Sequence, residues 1–195
     1  MTLYKNKEKL SGYSATIGKL FGGLGLSANV YTALALLFAF ITAYFLLTGN
    51  FVCAAAAFAI SAFLDSVDGA VARFRKEASK RGAYLDTISD RYMEGVVIIA
   101  IMFLALPIFY LSSYMWAALY LFGSLMITYA KAAAKEKLNK DIRGGLLERP
   151  ERMILLFIGI AAAVISSVYL VYVIALLAVL ANITALQRIS IALRK

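Results

Sequence analysis

The chain has 195 residues, 63% of them apolar and 16% charged, with 20 Lys and Arg against 11 Asp and Glu. Such a composition excludes a soluble or disordered domain and reads as an integral membrane protein, a single all-α domain over residues 1–195. The absence of His and the single Cys53 exclude zinc-type sites and an internal disulfide.

Residues 1–22 mix charge with Leu3, Tyr4, Leu10, Tyr13, Ile17 and Leu20, which predicts an interfacial amphipathic helix lying on the membrane surface. They lack the uninterrupted apolar core and small-residue cleavage site of a signal peptide. Gly22-Gly-Leu-Gly-Leu-Ser27 lacks the strand context of a phosphate loop and reads as a bend, with Ser27 as a helix cap. Residues 27–195 then read as a six-helix bundle. The expected spans, each near the ~20 apolar residues a bilayer requires, are Asn29–Thr48, Phe51–Arg73, Tyr84–Leu106, Ser113–Lys131, Arg152–Ser167 and Val168–Ala192.

All Lys and Arg fall in four stretches: the amino-terminal arm, Arg73 to Arg91, Lys131 to Arg152, and the tail from Arg188. Six spans put these stretches on one side, which the positive-inside rule makes cytoplasmic together with both termini. The chain therefore reads as a multi-pass cell-membrane protein with its chemistry at the cytoplasmic boundary. The basic clusters flank spans and carry no nucleic-acid motif, so anionic headgroups of the lipid bilayer are the expected partner, not nucleic acid.

The informative stretch is Asp65-Ser-Val-Asp68-Gly69-Ala-Val-Ala72-Arg73, then eight residues, then Gly82-Ala-Tyr-Leu-Asp86-Thr-Ile-Ser-Asp90. Spacings of three and four place each Asp pair on one helix face, with Cβ atoms about 5–6 Å apart. The segment reads as two helices joined by the basic turn Phe74 to Arg81, so the carboxylates face each other across a helical hairpin. Four carboxylates beside hydrocarbon do not all stay ionised without compensation. An all-oxygen donor set suits Mg²⁺, Mn²⁺ or Ca²⁺. Gly69 lets a bulky group lie against the helix, and Arg73 adds a fixed cation about a turn beyond Asp68. Carboxylate-held metal with Arg is equipment for handling phosphate.

This pattern resembles the signature of the CDP-alcohol phosphatidyltransferase family, Asp-x-x-Asp-Gly-x-x-Ala-Arg-x₈-Gly-x₃-Asp-x₃-Asp. The resemblance implies transfer of a phosphatidyl-type group from a CDP-linked lipid, CDP-diacylglycerol or CDP-archaeol, to a small polar hydroxyl compound, releasing CMP. It implies that Asp65, Asp68, Asp86 and Asp90 hold two divalent ions, Mg²⁺ or Mn²⁺, that Gly69, Arg73 and Ser79 bind the donor with Asp68, and that Asp90 serves as base. It implies a homodimer. By the same resemblance Asn29 and Thr32 line the nucleotide site, although Ala28 stands where the family commonly has Pro, and Asn and Thr at a helix start also serve as caps.

The run Glu148-Arg-Pro-Glu-Arg152 resembles the Glu-Arg-Ala-Glu-Arg of the subfamily that accepts inositol phosphate. Lys131, Arg152 and Arg188 lie at the cytoplasmic ends of the last three expected spans, and Lys131 closes the fourth. Together they suit a phosphate monoester; the alternative is snorkelling to the headgroups. Other readings are a phosphatidylglycerophosphate- or phosphatidylserine-type synthase, a CDP-inositol-dependent di-inositol phosphate phosphate synthase, a membrane prenyltransferase, and a cation transporter with intramembrane acids.

Overall fold

The structure, a computed structural model, describes residues 7–142 and 144–194, with side chains from residue 15 onward; residues 1–6, the start of the expected surface helix, and Arg143 lie outside the described residues. The described chain is helical throughout: α1 (Lys7–Gly22), α2 (Ala28–Leu47), α3 (Phe51–Phe74), α4 (Lys80–Met102), α5 (Ser113–Leu138), α6 (Arg149–Ala162) and α7 (Ser167–Leu193). The helices belong to two compact units, one made of the chain up to Phe45 with Cys53–Val97, the other of Leu46–Val52 with Ile98–Lys195.

Four helices, α2, α3, α5 and α7, are long and apolar enough to cross a membrane. The remaining two expected spans differ in instructive ways. Helix α4 has 23 residues, but its first four turns carry Lys80, Arg81, Asp86, Asp90, Arg91 and Glu94. Helix α6 has 14 residues, about 21 Å of axial rise against the ~30 Å hydrocarbon thickness. Helix α5 does not end at Lys131. It runs on through Ala-Ala-Ala and alternating Lys and Glu, all favourable helix formers, and stops at Asn139, whose left-handed backbone returns its N–H to Ala134 O.

In the first unit α2 buries Tyr31, Ala35, Ala39, Thr42 and Ala43 along one stripe. The Ser61 hydroxyl of α3 donates to Ala35 O of α2 at 2.7 Å, a polar link between helices whose small residues allow close approach. The hairpin between α3 and α4 is shorter than expected, residues 75–79. Ser79 closes it by accepting the N–H of Gly82 at 3.0 Å, a helix N-cap.

In the second unit Asn182 of α7 donates to Leu119 O of α5 at 2.9 Å, directly over Gly123, where a Cβ would meet the amide at 2.8 Å. Pro150 occupies the first turn of α6, as expected, and the Glu151 carboxylate accepts the Glu148 N–H at 2.7 Å. The segment before α6 lies along α7: Leu146 N–H donates to Gln187 Oε1 and Leu147 N–H to Thr184 Oγ1.

Candidate functional site

Three of the four motif carboxylates converge. Oxygens of Asp65, Asp68 and Asp86 all lie within 4.8 Å of one another, Asp68 buried, Asp65 half-buried and Asp86 exposed. Asp90 is outside this group, one turn further along α4 and half-buried. The convergence follows from helix periodicity. Asp65 and Asp68 share a face of α3, and the five-residue turn brings the start of α4 back beside them.

The geometry fits a hard divalent cation. Two oxygens bound to opposite sides of such an ion at about 2.1–2.4 Å are separated by a little over 4 Å, within the observed spacing. The buried Asp68 is oriented by Thr32 of α2, whose hydroxyl donates to Asp68 Oδ2 at 2.6 Å while it also lies 3.2 Å from Ala28 O. Such a bond fixes a ligand's rotamer before metal arrives. The sequence placed Thr32 at the nucleotide; its contact with a carboxylate 36 residues away is an additional role.

Beside the carboxylates lies a cavity of about 560 Å³ lined by Ser27, Asn29 and Thr32 from the start of α2, Asp68, Gly69 and Arg73 from α3, and Ser79, Gly82 and Asp86 from the hairpin and α4. All six residues assigned to the CDP-lipid from the sequence, Asn29, Thr32, Asp68, Gly69, Arg73 and Ser79, line it. The glycine at position 69 answers a steric need, because the Arg73 guanidinium folds back over it, with Nη1 3.3 Å from where a Cβ would stand. A side chain at position 69 would push the Arg73 guanidinium outward by a few tenths of an ångström. The cavity thus offers cation and metal-binding oxygens along one wall, the complement of a diphosphate.

One charged pair went unnoticed in the sequence. Glu94, 2% exposed, accepts from Arg91 Nη1 at 2.8 Å. The spacing Asp86, Asp90, Glu94 continues one helix face and signals it.

The three cations that the sequence suggests for an acceptor phosphate, Lys131, Arg152 and Arg188, belong to the second unit. Arg152 is 1% and Arg188 7% exposed. Arg188 Nε donates to Gly144 O and Nη1 to Ile127 O, both at 3.1 Å, and Nη2 lies 3.7 Å from Glu148 Oε1. Glu148, at the start of the Glu-Arg-Pro-Glu-Arg run, thus forms an ion pair with Arg188 of α7. Lys131 is exposed on α5, one turn beyond Ile127, and does not share their burial.

Comparison with known proteins agrees with this geometry. The profile of the CDP-alcohol phosphatidyltransferase family matches residues 26–186. The archaetidylinositol phosphate synthase of Pyrococcus horikoshii is 32% identical over 190 residues, 96% of this chain and 94% of that protein. The phosphatidylinositol phosphate synthase of Corynebacterium glutamicum is 35% identical over 58% of this chain and 52% of its own length. Among solved structures, phosphatidylinositol phosphate synthase of Mycobacterium tuberculosis superposes with a TM-score of 0.79 in its complex with manganese and citrate, at 28% identity over 92% of this chain and 88% of that one. Its complex with CDP-DAG gives 0.78, at 26% identity over 92% of each chain.

Proposed function

Because the chain belongs to the CDP-alcohol phosphatidyltransferase family, we propose that it transfers a phosphatidyl-type group from a CDP-linked lipid, CDP-diacylglycerol or CDP-archaeol, to inositol phosphate, releasing CMP. The observation that carries this reading is the carboxylate triad bordering a cavity lined by the residues that the family resemblance assigns to the donor. The relatives named for archaetidylinositol phosphate and phosphatidylinositol phosphate synthesis, and the CDP-DAG complex of a similar structure, support donor and acceptor class. A prenyltransferase or cation transporter has no counterpart in these relatives.

Asp65, Asp68 and Asp86 hold divalent metal, with Asp90 completing the set when two ions bind. Mg²⁺ is the expected ion and Mn²⁺ a substitute. When bound, the metal neutralises the donor diphosphate and the departing phosphate of CMP. Thr32 keeps Asp68 turned toward that position. Arg73 and the cavity wall from Asn29 to Ser79 hold the nucleotide and its phosphates. Asp90 takes the proton of the acceptor hydroxyl as its oxygen bonds to the phosphorus nearer the lipid; the bridging P–O bond breaks, and CMP leaves with the bridging oxygen. Lys131, Arg152 and Arg188 hold the phosphate of the acceptor, with Arg as fork and Lys as point charge.

The membrane arrangement belongs to the same proposal. Helices α2 to α7 supply six crossings, α1 lies on the cytoplasmic leaflet, both termini and the carboxylates face the cytoplasm, and two copies form a homodimer. Cysteines at Gly49 and Ser167 are expected to react only from outside the cell and one at Glu77 only from inside; an inverted pattern overturns the six-span topology.

The functional test is release of labelled CMP from a CDP-lipid, with and without Mg²⁺ or Mn²⁺, offered inositol phosphate, glycerol phosphate, serine and inositol in turn. Metal-dependent release with inositol phosphate, and little with free inositol or serine, is the expected outcome. Equal use of unphosphorylated acceptors overturns the assignment. The bifunctional IPC transferase and DIPP synthase of Aquifex aeolicus is 30% identical over 143 residues, 70% of this chain and 32% of its own length, so CDP-inositol is included as a second donor.

A further inference from the structure

Helix α3 presents two opposite faces over its last three turns. One, Asp68, Gly69, Ala72 and Arg73, lines the cavity. The other, Val67, Ala70, Val71 and Phe74, meets α1, and this packing is unusually tight. A Cβ at Gly18 would stand 2.7 Å from the Ala70 carbonyl oxygen, and one at Gly22 would stand 2.6 Å from the Phe74 ring. Gly18 and Gly22 are four residues apart, hence on one face, and their lack of side chains is what lets α1 reach the backbone of α3. Ile17 and Phe21 of α1 pack beside them on the core of Tyr31, Val67 and Val71.

The end of α1 is held as firmly as its face. The Arg75 guanidinium donates to Gly22 O through Nε at 3.2 Å and Nη2 at 2.8 Å, a two-pronged grip on the negative end of the helix dipole. Tyr31 Oη donates to Phe21 O at 2.9 Å. Arg75 Nη1 also lies 3.8 Å from the carboxylate of Glu77, which lines the cavity. The Arg75 contacts bear on the hairpin that follows α3, and the Tyr31 bond ties the end of α1 to α2.

We propose that Gly18, Gly22 and Arg75 are positioning residues for the metal and nucleotide site: α1 clamps the back of α3 and fixes the register and tilt of Asp68, Gly69 and Arg73. A surface anchor alone requires an amphipathic helix; it does not require two glycines against a carbonyl and a ring, nor an Arg spent on the helix terminus. The proposal rests on the reading of the α3 carboxylates as metal and donor ligands, and the experiment separates the two.

The measurement is Mn²⁺ binding by electron paramagnetic resonance, and CDP-diacylglycerol binding in nanodiscs, on the full-length chain and on Arg75→Gln, Arg75→Lys and Gly18→Leu, together with the KM for each substrate. Loosening the clamp is expected to weaken Mn²⁺ and CDP-lipid binding about five- to twentyfold in Arg75→Gln. The KM for inositol phosphate is expected to stay unchanged, and Arg75→Lys to recover part of the loss. Gly18→Leu is expected to exceed Arg75→Gln, and should it fail to fold, the two Arg75 variants decide the matter. If the unaltered chain binds neither Mn²⁺ nor CDP-lipid, the proposed function falls and the clamp with it. If the unaltered chain binds both and Arg75→Gln binds them equally well, or loses only thermal stability, α1 is an anchor and the positioning role is wrong.

Discussion

The unit containing α2 and α3 and the unit containing α5 to α7 each bury charge, of opposite sign, and they stabilise it by different means. Around Asp68 the charge is gathered: Asp65 and Asp86 come within 4.8 Å of it, a like-charged cluster that Thr32 orients through one hydroxyl. Around Arg188 the charge is distributed, since two backbone carbonyls and Glu148 already attend the guanidinium. A carboxylate cluster becomes complete with a cation from outside, because repulsion within it grows with every added ligand. A guanidinium attended by carbonyls is stable as it stands, and an incoming phosphate adds to an arrangement that already exists. The carboxylate side is therefore expected to depend on its ligand more steeply than the arginine side.

The largest effects sharpen that contrast at the motif. Asp90→Asn is expected to reduce turnover by about 10²–10⁴-fold, the usual cost of a positioned base, while CDP-lipid binding persists. Asp68→Asn is expected to weaken Mn²⁺ and CDP-lipid binding together, measured by the same binding assays. Near-normal turnover of Asp90→Asn at saturating Mg²⁺ removes Asp90 from the base role.

Intermediate effects belong to the arginines. Arg152→Gln and Arg188→Gln each lose charged hydrogen bonds worth about 1.5–3 kcal/mol, roughly ten- to a hundredfold in the KM for inositol phosphate. Arg188→Gln also releases the Gly144 and Ile127 carbonyls, so its thermal midpoint is expected to fall.

Thr32→Val removes the hydroxyl that donates to Asp68 and also lies near Ala28 O, and is expected to cost about tenfold in metal affinity, the low end for an outer-shell partner. Lys131→Gln is expected to be smallest, within a few-fold in acceptor KM, because an exposed cation contributes at most about 1 kcal/mol.

The hairpin and the convergence of Asp65, Asp68 and Asp86 were legible in the sequence because they depend on local spacing: three- and four-residue intervals, and a short turn between two helices. What stayed hidden depends on chain segments far apart. Thr32 meets Asp68 across 36 residues, and Arg75 meets Gly22 across 53. Neither contact leaves a local pattern. The length of α6 was also illegible, because the apolar run continues unbroken to Ser166 while the helix stops at Ala162. Gly22 read as the start of a bend and Gly18 carried no signal, because the carbonyl and ring opposite them come from a distant segment.

The separate roles of the two units are tested most directly by two-substrate steady-state kinetics on Thr32→Val and Arg152→Gln, varying Mn²⁺, CDP-lipid and inositol phosphate in turn. Thr32→Val is expected to raise the Mn²⁺ activation constant and the CDP-lipid KM with the inositol phosphate KM unmoved. Arg152→Gln is expected to raise the inositol phosphate KM alone. Both variants shifting the same constants, or Arg152→Gln altering the donor's and not the acceptor's, contradicts separate handling of donor and acceptor.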